Sequence, residues 1–165
     1  MMNCKQMNIV SKSGVSIALV RGFSLVELVV VIAIVGILVS VAVPSFSSSI
    51  ASLRAKNAAS SLYDGLVRTR SEAVKRNASV KLAPADSWAK GWKIYLSSDT
   101  SKVFENYSTT GTVSITGPDV VEYKPTGRVV GSVEFNIEAS MNSVTSQRCV
   151  AVGLSGLPTI KTTSC

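Results

Sequence analysis

The sequence predicts an α+β protein in which one long N-terminal helix packs on a mostly antiparallel β-sheet head. Three observations carry that reading. Residues 23–43, FSLVELVVVIAIVGILVSVAV, are apolar apart from Ser24, Glu27, Gly36 and Ser40. Residues 44–77 then repeat alanine and leucine at three- and four-residue spacing, the period of an amphipathic helix. From Ser79 onward, short runs rich in Val, Ile and aromatic residues alternate with Gly, Pro, Asp and Ser, the pattern of strands and turns.

The first run would extend roughly 30 Å as a helix, the thickness of a bilayer's hydrocarbon core, and reads as a transmembrane segment over 23–43. It is longer than the apolar region of about 7–15 residues in a secretory signal. Its one processing-like junction, Gly22-Phe23, precedes the apolar run, so cleavage there would leave the helix in the mature chain. Pro44 closes the run and Ser45 to Ser49 form a polar junction. Beyond it Ala55, Ala58, Ala59, Leu62, Leu66, Ala73 and Val74 make an apolar stripe, with Arg54, Lys56, Arg68, Lys75 and Arg76 as a basic face. The two parts together predict one helix ending near Asn77 and bent near Pro44, where a backbone hydrogen bond is lost.

The head, 78–165, is expected to hold strands at Val80–Ala83, Trp92–Leu96, Val113–Ile115, Val120–Tyr123, Arg128–Val130, Val133–Ile137 and Cys149–Val152, with an edge strand at Leu157–Ile160. Turns fall at Ser97-Ser98-Asp99, Gly117-Pro118-Asp119 and Pro125-Thr126-Gly127. Residues 97–120 are the least constrained. Trp92 reads as a core aromatic and Gly127 as a turn residue.

The N-terminal string Arg21-Gly22-Phe23-Ser24-Leu25-Val26-Glu27, followed by the apolar run and Pro44, resembles the processing site and first helix of type IV pilins and of the pseudopilins of type II secretion. A second set of residues narrows the resemblance. Leu66 to Asn77, Gly91-Trp92, Thr126-Gly127-Arg128 and Arg148 to Val152 before Ser155-Gly156 are similar to the GspH/FimT/FimU group of minor pilins and pseudopilins. That resemblance implies a type IV pilin-like fold and a leader over 1–22. A prepilin peptidase would cut between Gly22 and Phe23 and methylate the Phe23 amine. Lys5, Lys12 and Arg21, with no acid among them, fit a leader held on the cytoplasmic side. The leader is longer than is common in the group, which leaves Met2 or Met7 as alternative starts.

The resemblance also assigns Glu27 a role: its carboxylate would accept the amine of Phe23 on a neighbouring subunit and set the stagger of assembly. The alternative is an acid close enough to the headgroups to stay hydrated, since a charge at the centre of a membrane helix costs about 2.5–3.5 kcal/mol. Gly36 and Pro44 bracket the part of the helix easiest to unwind, and in filaments of the family this region melts locally. Close helix approach at Gly36 and Ser40 is the other reading. With Cys4 in the leader, Cys149 and Cys165 remain. Paired, they would close a loop of about 17 residues, contribute roughly 3 kcal/mol and indicate an oxidising compartment; two unpaired thiols are the alternative.

Charge bounds the partners. The chain has 17 basic and 10 acidic side chains, net +7, which falls to +4 once the three leader cations are removed. Arg68, Arg70, Lys75, Arg76 and Lys81 could track nucleic-acid phosphates. Some relatives bind DNA through an arginine-rich C-terminal segment, but residues 156–165 here hold one lysine and no arginine, so DNA is the lesser alternative. Catalysis has little to stand on: there is no histidine, no Gly-rich phosphate loop, and Gly153-Leu154-Ser155-Gly156 lacks the G-x-S-x-G spacing. No metal or cofactor is expected. The reading is a minor type IV pilin that helps initiate assembly or sits near the filament tip, serving twitching motility, adhesion or DNA uptake. A minor pseudopilin of type II secretion and a DNA-binding protein of natural transformation are the alternatives. Its partners would be the peptidase, other major and minor pilins and the inner membrane, with the head in the periplasm before assembly at the surface.

Overall fold

The computed structural model describes residues 22–108 and 113–165, with backbone only at 41–45. The chain divides into two compact units, Met1–Leu38 and Val39–Cys165. The expected leader up to Arg21 and the side chain of Pro44 lie outside the described residues. Helix α1 runs Leu25–Arg76, 52 residues, and residue 44 is within it.

From Leu25 to Val39 every large apolar side chain of α1 is between 46% and 77% exposed, so none of the described residues covers any face of this segment. Among the described residues no helix is long and apolar enough to cross a membrane.

The second half of α1 is amphipathic in fact as well as pattern. Ala51, Ala55, Ala59, Leu62, Leu66, Thr69 and Ala73 recur at spacings of three and four and all are fully buried. Val74, expected in this stripe, is instead 53% exposed, and Thr69 takes its place in the core. The threonine is tolerated because its hydroxyl donates to the Gly65 carbonyl at 2.6 Å, leaving no unpaired polar atom. The helix stops at a left-handed residue, Asn77 (φ 49°), with Ala78 N bonding Ala73 O and Asn77 N bonding Val74 O, both at 3.2 Å. This paired closure is the Schellman arrangement.

Eight strands follow: β1 (Val80–Pro84), β2 (Gly91–Leu96), β3 (Asp99–Ser108), β4 (Val113–Thr116), β5 (Val121–Tyr123), β6 (Val133–Met141), β7 (Val144–Val152) and β8 (Pro158–Lys161). They form two four-stranded antiparallel sheets rather than one, ordered β3-β2-β1-β5 and β4-β6-β7-β8. Arg128–Val130 is not a strand: the turn closed by Gly127 N to Lys124 O and Lys124 N to Arg128 O, both 2.8 Å, leaves only a single bridge between Tyr123 and Val129. The long β3 lies where a turn and unconstrained chain were expected.

The two sheets share one core with α1, built from Leu62, Leu66, Trp92, Ile94, Tyr123, Phe135, Ile137 and Val150 among others. Aromatic contacts join them. Trp88, between β1 and β2, meets Phe135 of the second sheet edge-on at 4.9 Å, and its indole N–H donates to Pro118 O at 2.8 Å. Trp92 is 2% exposed and stacks on Tyr107 at 4.4 Å. Gly65 lets that indole lie against the helix, since a Cβ there would sit 2.6 Å from Trp92 Nε1. Cys149 and Cys165 are bonded, fastening the chain after β8 to β7 with a sequence separation of 16.

Reduction of this bond should lower the unfolding free energy by roughly 3 kcal/mol, the loop-entropy value for a ring of this size, measurable by denaturant titration with and without reductant. Gly156 has φ 79°, and a Cβ on it would lie 2.0 Å from the Gly127 carbonyl oxygen. Gly156→Ala should therefore destabilise the fold by about 2–4 kcal/mol from left-handed strain and overpacking combined, read by the same titration.

Candidate functional site

Two groups of residues were expected to act, one at the start of α1 and one on its basic face. At the start, Gly22 and Phe23 precede the helix in irregular backbone. Phe23 is 78% exposed, and nothing lies within 4 Å of where a Gly22 Cβ would be, so the junction is sterically open. Ser24 is the N-cap: its carbonyl accepts Leu28 N at 3.2 Å. Glu27 is then the third helical residue, an S-x-x-E spacing in which an acid faces the positive end of the helix dipole. Its side chain is exposed, and open to a group supplied from outside the chain. Gly36 is helical with nothing within 4 Å of a notional Cβ, so no contact among the described residues requires its small size. The backbone between Gly36 and Pro44 is helical in the isolated chain.

The basic face is largely occupied by the protein's own groups. Arg68 bonds Glu105 at 2.7 Å, and that hydrogen bond, followed by the Coulombic attraction of the same carboxylate, raises its pKa further. Arg76 bonds Glu72 at 2.6 Å and lies 3.8 Å over the Phe104 ring. Lys81 is 3.7 Å from Glu122 across the β1–β5 ladder. Arg70 turns inward, its Nε donating to Gly127 O at 3.0 Å. Lys75 alone of the five is exposed without such a contact among the described residues. The structure thus does not gather these cations into one open phosphate track.

Arg70 belongs to a device that the periodicity did not reveal. Its guanidinium holds the 124–128 turn, the Gly127 carbonyl of that turn abuts Gly156, and Tyr123 packs beneath Gly156. The Tyr123 hydroxyl is buried with no hydrogen-bond partner, and burial pushes its pKa well above the ordinary phenol value despite the opposing charge of Arg70. Each participant is far from Arg70 in sequence, so only the charge of Arg70, not its direction, could be read beforehand.

Residues 58–156 match the family model described as Type II transport protein GspH. The chain belongs to the GspH family. Residues 17–43 match the prokaryotic N-terminal methylation motif, which spans the Gly22-Phe23 junction, Glu27 and Gly36. The GspH-family chain is 33% identical over 85 residues to the pilin-like protein PilA1 of Thermus thermophilus, a match covering 52% of this chain and 53% of that one. It thus spans about half the length of that curated relative. In fold it is similar to the type IV minor pilin FimU of Pseudomonas aeruginosa in two crystal forms. Their TM-scores are 0.55 and 0.56 at 20% and 19% identity, covering 64% and 65% of this chain and 91% and 87% of the FimU chains. The GspH-family fold is therefore the pilin fold of a helix on antiparallel sheets.

Two outcomes follow for the device around Arg70. Arg70→Ala should cost about 1.5–3 kcal/mol, because a charge-assisted bond to a part-buried carbonyl is lost, and should raise amide exchange in residues 124–128. Stability should fall as the pH rises above about 10, the unfolded value for tyrosine, because the folded state binds the Tyr123 proton more tightly. Tyr123→Phe should remove that part of the alkaline loss in denaturation measured between neutral and high pH.

Proposed function

We propose that this protein is a minor type IV pilin: a structural subunit, held in the inner membrane by residues 23–43 until it enters a filament near the tip or helps start one. The observation that carries the proposal is the conjunction at the head of α1. An open Gly22-Phe23 junction precedes α1, an exposed Glu27 lies in its first turn, and the apolar side chains from Leu25 to Val39 are covered by none of the described residues. An apolar surface of that kind is stable only in lipid or among the apolar helices of other subunits. Cleavage before Phe23 would expose an amine four residues from Glu27. In a neighbouring subunit that amine would neutralise the carboxylate, removing the cost of carrying an acid into an apolar bundle. The same helix would then serve first as single-pass anchor and later as filament core, with Gly36 and Pro44 as its weakest stretch. The Cys149–Cys165 bond is consistent with a head outside the cytoplasm.

A minor pseudopilin of type II secretion is the second reading, favoured by the description of the matching family model. DNA binding by the basic face draws less support, because Arg68, Arg70, Arg76 and Lys81 are engaged within the protein.

Deletion of the gene in its native host, scoring surface pili and twitching beside exoprotein secretion, separates these readings. The pilin reading predicts loss of piliation with normal secretion, restored by the wild-type gene. Glu27→Ala should insert into the membrane yet restore less than about one tenth of piliation, since leaving the neighbour's amine unpaired in an apolar bundle costs more than about 1.4 kcal/mol, the equivalent of tenfold. Lost secretion with intact pili would transfer the protein to the secretion machine, and full complementation by Glu27→Ala would remove the assembly role of that acid.

A further inference from the structure

Two turns beside the last turns of α1 are built alike and lock together. Residues 124–127 and 153–156 are each closed by a hydrogen bond from a final glycine amide to the carbonyl three residues earlier, both at 2.8 Å. Both glycines are left-handed, Gly127 at φ 74° and Gly156 at φ 79°. Their backbones touch, since a Cβ on Gly156 would lie 2.0 Å from the Gly127 carbonyl oxygen, and only glycine allows that approach at such a φ. The helix holds the first turn as well: Arg70 Nε donates to the same carbonyl at 3.0 Å, and Val74 Cγ2 is 3.1 Å from where a Gly127 Cβ would be. The two turns and this end of α1 therefore present one fixed surface.

That surface carries apolar side chains and cations together. Val74 on Gly127, and Leu154 and Leu157 on either side of Gly156, are 53%, 54% and 56% exposed. Lys124 and Arg128 are exposed in the first turn, and neither they nor Arg70 joins the five ion pairs among the described residues. The sequence supplies no acid to neutralise them, for residues 124–133 and 139–165 contain neither Asp nor Glu. The acids nearest in the chain are engaged elsewhere. Glu72 lies two residues from both Arg70 and Val74, about 200° round the helix, and bonds Arg76, while Glu122 is held by Lys81 and Ser97. Exposed aliphatic groups beside unneutralised cations fit a protein surface that is both apolar and acidic. Nucleic acid fits less well, because Val and Leu offer no ring on which a base can stack and no donor to a base edge. The same patch on a second copy fits less well too, since a twofold contact would set cation against cation.

We propose that the paired turns 124–127 and 153–156, with Val74, form the docking surface for a different filament subunit, one that presents apolar side chains among Asp and Glu. The proposal rests on the pilin reading above. It assigns the head a contact chosen by side chains, whereas the contact of Glu27 could be made by any subunit with a free N-terminal amine. Burial of the three aliphatic groups would hold the partner, and the cations would steer it and reject a basic one.

Photo-crosslinking in the native host tests it, with a benzophenone amino acid placed in the full-length protein at Leu157, or at Val103 on β3 as the control. The Leu157 probe should link to a pilin-like subunit other than this chain, and the linked peptide, identified by mass spectrometry, should carry Asp or Glu beside apolar residues. The yield should fall about fivefold in Arg128→Glu, because one reversed charge opposes an acidic partner, and be retained in Arg128→Lys. The Arg128 side chain makes no hydrogen bond or ion pair among the described residues, so its reversal should leave the fold intact. An oxidised Cys149–Cys165 bond checks this, and if Arg128→Glu loses it, Lys124→Glu takes its place and should give the same fall. Links only to copies of this chain, links to DNA, an equal yield from Val103, or a yield indifferent to the reversed charge overturns the proposal. Immunoblots of filaments sheared from the surface report the pilin reading separately. If the protein is in the filaments and Leu157 forms no link, only this proposal fails; if it is absent from them, the pilin reading has failed and this proposal with it.

Discussion

The structure depends on one constraint: a single continuous helix carries two apolar surfaces of different geometry, and only one of them can be buried by the chain that bears it. From Ala51 to Ala73 the apolar residues lie in a stripe, and two sheets close over it. From Leu25 to Val39 they lie on every face, and none of the described residues covers them. A stripe can be satisfied by folding, whereas an all-round apolar helix can be satisfied only by lipid or by other helices. The head is thus a complete folding problem, and the N-terminal segment is an interaction waiting for an environment.

The stripe also explains why small residues dominate it. Ala51, Ala55 and Ala59 keep the helix narrow where the β6–β7 hairpin reaches it through Asn142 and Arg148. Leu62 and Leu66 then fill the space where both sheets converge, and Gly65 gives Trp92 room to lie flat against the helix. Trp88 and Phe135 close the seam between sheets. The polar contacts sit at the margins of this core, where Tyr107 reaches Ser61 at 3.0 Å and Glu105 reaches Arg68.

Much of this was legible in the residues, and what was not had local physical causes. The helix and its stripe could be read because Ala and Leu recur at the helical period. Val74 departs from the stripe because it lies one position past Ala73, about 100° round the helix, beside Gly127, and Thr69 was invisible because a hydroxyl satisfied by its own helix behaves as a core residue. Strand β3, DTSKVFENYS, hid because an edge strand with one open face needs few apolar residues, and its register against β2 shifts twice. The polar first half of β7, VTSQR, hid for the related reason that its inward arginine bonds the helix rather than joining the apolar core. At the candidate site, the junction and Glu27 were readable as a linear motif. The fate of the basic face was not, because Arg68 and Arg70 find their partners 37 and 57 residues away.

The proposed function requires a mature chain that begins at Phe23 and keeps the apolar first part of α1, held first in the membrane and then in the filament. The most direct test is intact-mass and N-terminal analysis of the protein extracted from membranes of its native host. A chain starting at N-methylated Phe23, with one disulfide and retained in the membrane fraction, is the predicted result. A mature chain that still carries residues 1–22, or one that starts beyond Val43 and has lost the apolar segment, would contradict the account.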